Sequence, residues 1–275
     1  MTNKQPKEFE KLCFSDRFMY GKVMEDKERC RKVLECLLNR PIGELQEVAT
    51  EREMSRTKDG KMIRMDLYTK DDRAIYNAEM QNLPEKKTVE SLELPKRSRY
   101  YHSLIDVDFL KAGHLFKELP ENNVIFICTF DPCGKGEPIY NFTFKTDTNP
   151  SIHLNDGSRI IFFNCTYEGD EIPEKLRNFY EFVRTGRAKD ELTRDLEHAV
   201  EAGRMNRVYC SEYIKQEQMR RELLDEGMEE ERVHTEEQRK RAEVAETRAE
   251  NAETRAEAAE AEVERLKKLL AKVGG

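Results

Sequence analysis

The stretch Lys61-Met-Ile-Arg-Met-Asp-Leu-Tyr-Thr-Lys-Asp-Asp-Arg-Ala-Ile-Tyr-Asn-Ala-Glu-Met-Gln81 decides how this chain folds. Apolar residues alternate on its first arm (Ile63, Met65, Leu67) and on its second (Ala74, Tyr76, Ala78, Met80), the period-2 signature of half-buried strands. Lys70-Asp71-Asp72-Arg73 separates the arms, and aspartate tolerates the conformations a tight turn needs. A hairpin centred on Asp71-Asp72 sets Asp66 opposite Asn77, Met65 opposite Ala78 and Leu67 opposite Tyr76. Glu79 is then the diagonal neighbour of Asp66, roughly 7–8 Å away across the ladder. Asp66, Glu79 and Gln81 share the polar face, and a one-residue slip would scramble both faces.

Two carboxylates at that spacing can lean together onto one divalent cation. Mg²⁺ is hard, prefers oxygen ligands, and is usually held by one or two carboxylates plus water and substrate phosphate. Such an ion neutralises a phosphate and activates a bound water, which suits phosphodiester hydrolysis. The plainer reading is an amphipathic hairpin with ordinary acidic residues on its wet side. On the hydrolytic reading, truncating Asp66 or Glu79 abolishes metal-dependent cleavage. Folding is expected to be nearly intact, because both side chains lie on the polar face.

Asp66, followed by Glu79-Met80-Gln81 at the end of the next strand, resembles the Asp…(Asp/Glu)-X-Lys core of the PD-(D/E)XK nuclease superfamily. The surrounding text is similar to its transposase-like, recombination-promoting nuclease branch. The landmarks are Phe14-Ser-Asp-Arg-Phe18, Val33-Leu-Glu-Cys-Leu-Leu-Asn39, Asn77-Ala-Glu-Met-Gln81 and Lys96-Arg-Ser-Arg-Tyr-Tyr-His-Ser103. The resemblance spans about the first two hundred residues. It implies an α/β, restriction-endonuclease-like fold with a central mixed β-sheet flanked by helices. It also implies a DNA substrate, Mg²⁺ or Mn²⁺ on Asp66 and Glu79, and a role in recombination or transposition. Gln81 stands where the superfamily pattern has lysine. An amide orients a water but carries no charge, so Lys96 or Arg97 is the expected replacement cation, and Gln81→Lys is expected to keep or raise activity. The competing reading is a DNA- or protein-binding module that kept the fold and lost the chemistry.

Charge is distributed unevenly. The net charge is −7, of which residues 209–275 contribute −5 and the first 208 residues −2. No global basic face is implied, yet Lys86-Lys87 and the run Lys96, Arg97, Arg99 offer local contacts for backbone phosphates. Tyr100 and Tyr101 in that run read as packing residues. Glu28 and Glu35, on the first long helix, are either a further acidic ligand or an exposed helix face, and the exposed face is favoured. His102 and His114 read as surface or packing residues. The seven cysteines form no CxxC pair, which argues against zinc and for a reducing compartment. Met1 to Glu8 has no apolar core, and the longest apolar run, Val124 to Phe130, is far too short to span a bilayer. These features point to a cytoplasmic protein without membrane contact.

Helices are expected after Ser15 or Asp16, after Asp26, from about Pro95 and from Pro173. Strands are expected over Leu45–Met54, Val124–Phe130, Ile139–Thr146 and Arg159–Thr166, with Asp59-Gly60 and Pro84 as breaks. From Ala242 the text repeats every seven residues. Its a and d positions are Ala242, Ala245, Ala249, Ala252, Ala256, Ala259, Val263, Leu266, Leu270 and Val273, a heptad seam. A parallel homodimer sets Arg248 against Glu253, Arg255 against Glu260 and Glu262 against Lys267. The expected organisation is a nuclease-like domain over 1–208, a helical linker over 209–241 and a coiled coil over 242–275.

Overall fold

The computed structural model describes residues 7–54, 62–83, 88–223, 225–227, 232, 235–241 and 263. Asp59-Gly60, Pro84, Lys86-Lys87 and the heptad run, apart from Val263, lie outside them. The chain divides into two compact units, Met1–Tyr213 and Ile214–Gly275. Residues 214–223 and 235–241 of the second are helical.

The first unit is α/β. Its six-stranded mixed sheet has the order β1-β2-β3-β4-β6-β5. The strands are β1 (Glu47–Met54), β2 (Ile63–Lys70), β3 (Ala74–Gln81), β4 (Glu121–Cys128), β5 (Ile139–Phe142) and β6 (Ser158–Asn164). β1, β2 and β3 form an antiparallel meander, β3, β4 and β6 run parallel, and β5 closes the far edge antiparallel to β6. The parallel step from β3 to β4 is made through a helix, as such crossovers require.

Helices cover both faces. On one side lie α1 (Arg17–Met24), α2 (Lys27–Leu38), α4 (Glu174–Thr185) and α5 (Glu191–Arg204). Tyr20, Leu34, Phe179 and Leu196 of these helices pack with Leu67, Ala78, Ile127 and Phe163 of the sheet. On the other side α3 (Leu94–Phe109) presents Leu94, Tyr101, Leu104 and Ile105 to Met65, Tyr68, Val124 and Phe126. Side chains of this size each contribute about 1.5–3 kcal/mol when buried, so both layers hold the sheet firmly.

Local chemistry sets the boundaries. Asp26 caps α2 by accepting from the Arg29 N–H at 2.8 Å, and Asn39 ends that helix in the left-handed region (φ 48°). Asp190 caps α5 with a reciprocal bond pair to Thr193. β4 begins at Glu121 rather than Val124, because Asn122 and Asn123 already pair with Ile75 and Tyr76. β5 stops at Phe142 rather than Thr146. Phe142 pairs with Ile160 near the start of β6, and the chain beyond folds back on itself through a Leu154 to Phe144 bond and a Lys145–His153 bridge.

The hairpin forms one residue later than expected. Lys70 pairs with Ile75, and the Asp71 N–H donates to the Ala74 carbonyl at 3.1 Å, leaving Asp72-Arg73 as the turn. The Asp71 side chain is the reason. Its Oδ1 accepts from the Arg73 and Ala74 N–H groups, and its Oδ2 accepts from the Gly43 N–H and the Tyr76 hydroxyl. Burial alone would raise the pKa of Asp71, but these four donors hold it below the ordinary value. The later turn moves every cross-strand partner by two residues, so the faces are preserved. Tyr68 meets Asn77 and Leu67 meets Ala78.

Candidate metal and phosphate site

The shifted register brings Asp66 level with Glu79, a closer meeting than the diagonal one expected. The backbone ladder of β2 and β3 ends at Leu67–Ala78, and side chains take over from there. The Asp66 N–H donates to Glu79 Oε1 at 3.0 Å, and the Met80 N–H donates to Asp66 Oδ2 at 3.1 Å. Asn77 Nδ2 donates to Glu79 Oε1 at 2.8 Å and to the Leu67 carbonyl at 3.2 Å. On the other flank, pairing with β1 skips Glu51, which adopts a left-handed φ of 53° between the paired residues Thr50 and Arg52. The apolar alternation of β2 is interrupted here: Ile63 and Met65 pack on the α3 side with Tyr68, whereas Leu67 packs on the other.

This polar face is not wet. Asp66 is 3% exposed and Glu79 2%, because α3 lies over the face that strand alternation alone would leave to solvent. Burial is the main cause raising both carboxyl pKa values; mutual repulsion adds to it at Glu79, while the Arg17 guanidinium offsets part of it at Asp66. Both carboxyls therefore hold their protons to higher pH than ordinary carboxylates do.

Arg17, the first residue of α1, reaches across to this pair. Its Nε forms an ion pair with Asp66 Oδ1, and its Nη2 donates to the Arg64 carbonyl at 2.7 Å. Asp66 Oδ1 meets this guanidinium and no other donor, and Asn77 Oδ1 is a buried acceptor without a hydrogen bond, among the described residues. Desolvation lowers the pKa of Arg17, but the nearby carboxylates, Asp66 first, then Glu79 and Glu51, more than compensate and raise it.

Gln81 sits at the end of β3. Its Oε1 accepts from Arg97 Nη1 at 2.9 Å, and its Nε2 donates to the Asn82 carbonyl at 3.1 Å. The Arg97 guanidinium also reaches the Tyr101 hydroxyl at 3.3 Å and lies 5.5 Å from the centre of the Phe126 ring. Of the predicted phosphate contacts on α3, Arg97 is thus the one bonded to a site residue, while Lys96 and Arg99 are exposed. Tyr101 is buried against Phe126, as expected of a packing residue. Glu28 and Glu35 pair with Arg31, and Glu35 also accepts from the Ile42 N–H, so these contacts give neither a place beside Asp66. His102 bonds to the Arg159 carbonyl and His114 to Glu118.

The donor set fits a hard divalent cation in kind. Two carboxylates on adjoining strands supply oxygen ligands, and Asp66 Oδ1, paired with Arg17, takes no other donor among the described residues. Among the described residues no third Asp, Glu, His or Cys completes a cluster with them. Water and a phosphate oxygen would complete the shell. Sequence reasoning did not find Arg17, Asn77 or Glu51. Arg17 lies inside the quoted Phe14–Phe18 motif, so its presence was visible but its direction was not.

No family model matches the chain, and no curated protein is significantly similar to it. Among the described residues no helix is long and apolar enough to cross a membrane.

Proposed function

We propose that this protein is a Mg²⁺- or Mn²⁺-dependent deoxyribonuclease with a restriction-endonuclease-like core, serving recombination or transposition in the cytoplasm. The observation that carries this reading is the meeting of Asp66 and Glu79, both buried, with Gln81 and Arg97 bonded to each other alongside. When bound, the metal supplies charge neutralisation at the phosphate and a more acidic water. Asp66 and Glu79 would hold it. Among the described residues the Gln81 amide bonds Arg97 and Asn82, which leaves one lone pair and one N–H to orient a water. Arg97 brings the positive charge that glutamine lacks, and Lys96 and Arg99 face the flanking DNA backbone. The heptad segment pairs two chains in parallel, which sets two sites side by side for a duplex with two strands.

A second reading has its own observation. Asp66, Glu79, Asn77 and Arg17 satisfy much of one another's charge and hydrogen bonding, so the network stands without an ion. That suits a binding module which retains the fold and no longer cuts. The two readings part in a plasmid assay. Purified full-length protein should nick supercoiled DNA with Mg²⁺, and neither EDTA-treated protein nor Asp66→Ala should do so. Metal-independent DNA binding without nicking selects the binding module.

A further inference from the structure

Among the described residues Arg17 is the one cation ion-paired directly with a proposed metal ligand, and its other bond is to a backbone carbonyl. Its Nε pairs with Asp66 Oδ1, its Nη2 is held by a single backbone carbonyl, and its side chain is 43% exposed against 3% for Asp66. The carboxylate is fixed from beneath by the Met80 N–H at Oδ2. Asp66 therefore stays in place when its partner changes, and the Arg17 side chain reaches the surface. Its position at the start of α1 anchors its backbone firmly, since Phe18, Met19 and Tyr20 that follow it are all buried.

A cation in this position has two consequences. Without metal it offsets the charge of a buried acidic pair. With metal bound to Asp66 it faces a like charge and must turn away, and the nearest new anion is the phosphate that approaches the metal. A guanidinium fork matches two phosphate oxygens, which the strongly hydrated point charge of a lysine does not.

We propose that Arg17 is an exchange residue: it holds Asp66 until a divalent ion arrives, then releases it and binds a backbone phosphate of the DNA. This rests on the metal-site reading above. It differs from that reading in assigning phosphate recognition, and the coupling of metal to DNA, to a residue on α1.

The test uses full-length protein with two readouts that need no cleavage. Titration calorimetry with Mn²⁺ is run on wild type, Arg17→Gln and Asp66→Asn. Arg17→Gln should bind Mn²⁺ about tenfold tighter or more, because a competing unit charge a few ångströms away is gone. Duplex DNA affinity is then read by fluorescence anisotropy with and without Ca²⁺. Wild type should gain affinity with Ca²⁺, and Arg17→Gln should lose most of that gain. Arg17→Lys keeps the charge without the fork, so it should bind Mn²⁺ like wild type while losing part of the Ca²⁺-dependent gain; it serves if circular dichroism shows the glutamine variant unfolded. An unchanged or weaker Mn²⁺ affinity in folded Arg17→Gln overturns the exchange, as does a Ca²⁺-dependent gain equal to wild type. Near-wild-type Ca²⁺-dependent gain in Arg17→Lys overturns it too. If wild type and Arg17→Gln both bind no Mn²⁺, or Asp66→Asn binds it as wild type does, the metal site itself falls and the exchange falls with it.

Discussion

Truncating Asp66 to alanine has a stability cost that follows from its bonds. The first loss is the acceptor for the Met80 N–H, a 3.1 Å bond inside the sheet. A buried donor left unsatisfied costs about 1–3 kcal/mol. The second is the ion pair with Arg17. That side chain is 43% exposed and keeps the Arg64 carbonyl, so its share is discounted to about 0–1 kcal/mol. Relief of repulsion on Glu79 works in the other direction. The net expectation is a loss of about 2 kcal/mol, or a melting temperature lower by roughly 4–8 °C for a unit of this size. Asp66→Asn should cost less, because its amide oxygen can still accept from Met80. Urea and thermal melts in EDTA at pH 7 read both numbers. A wild-type melt for Asp66→Ala would refute the reasoning, for it would mean the Met80 bond contributes nothing or water replaces it freely. This revises the expectation of near-intact folding, which assumed a solvent-facing residue.

The same carboxylate pair makes metal-free stability fall with pH. Both acids have raised native pKa values, so the native state holds protons that the unfolded chain has released. Their contribution is full below about pH 4, the unfolded value. It is lost as pH rises to the raised native value of Glu79. Melts from pH 5 to 8 in EDTA should show the decline, and Glu79→Gln should flatten it; an unchanged slope in that variant contradicts the assignment. Gln81→Lys should stay folded yet gain little activity, contrary to what the sequence pattern suggests, because the new ammonium would sit where Arg97 now bonds. A clear rise in nicking rate over wild type would show that Arg97 moves aside. Truncation after Asn251 should lower the number of chains per particle seen by light scattering, and a full-length protein as monomeric as the truncated one would end the coiled-coil reading.

Much of this was legible in the chain, and the misses have physical causes. Asp66 and Glu79 were found because strand alternation and the Glu79-Met80-Gln81 spacing both survive a register shift of two. The turn position was missed because the Asp71 side chain, rather than backbone preference, chooses it. The dryness of the site was missed because alternation looks the same whether the polar face meets water or a covering helix. The buried Asn77 and Glu79 on that face were the available clue. Tyr100, Tyr101, Leu104, Ile105 and Val107 mark a helix from about Pro95, but nothing local says which surface it covers. Arg17 lies beyond any periodic argument, since its contact with Asp66 joins a helix start to a distant strand. The helices themselves were plain where caps are explicit, as at Asp26 and in the stripe Leu176, Phe179, Tyr180, Phe182 and Val183, all buried.

Whether Asp66 and Glu79 jointly hold a divalent ion is decided by anomalous diffraction from crystals grown with Mn²⁺. We expect one manganese peak per chain within about 2.5 Å of an oxygen of each carboxylate, with the Arg17 guanidinium withdrawn from Asp66. A map with manganese bound elsewhere, or with Arg17 still seated on Asp66 and no peak beside it at saturating Mn²⁺, would contradict it.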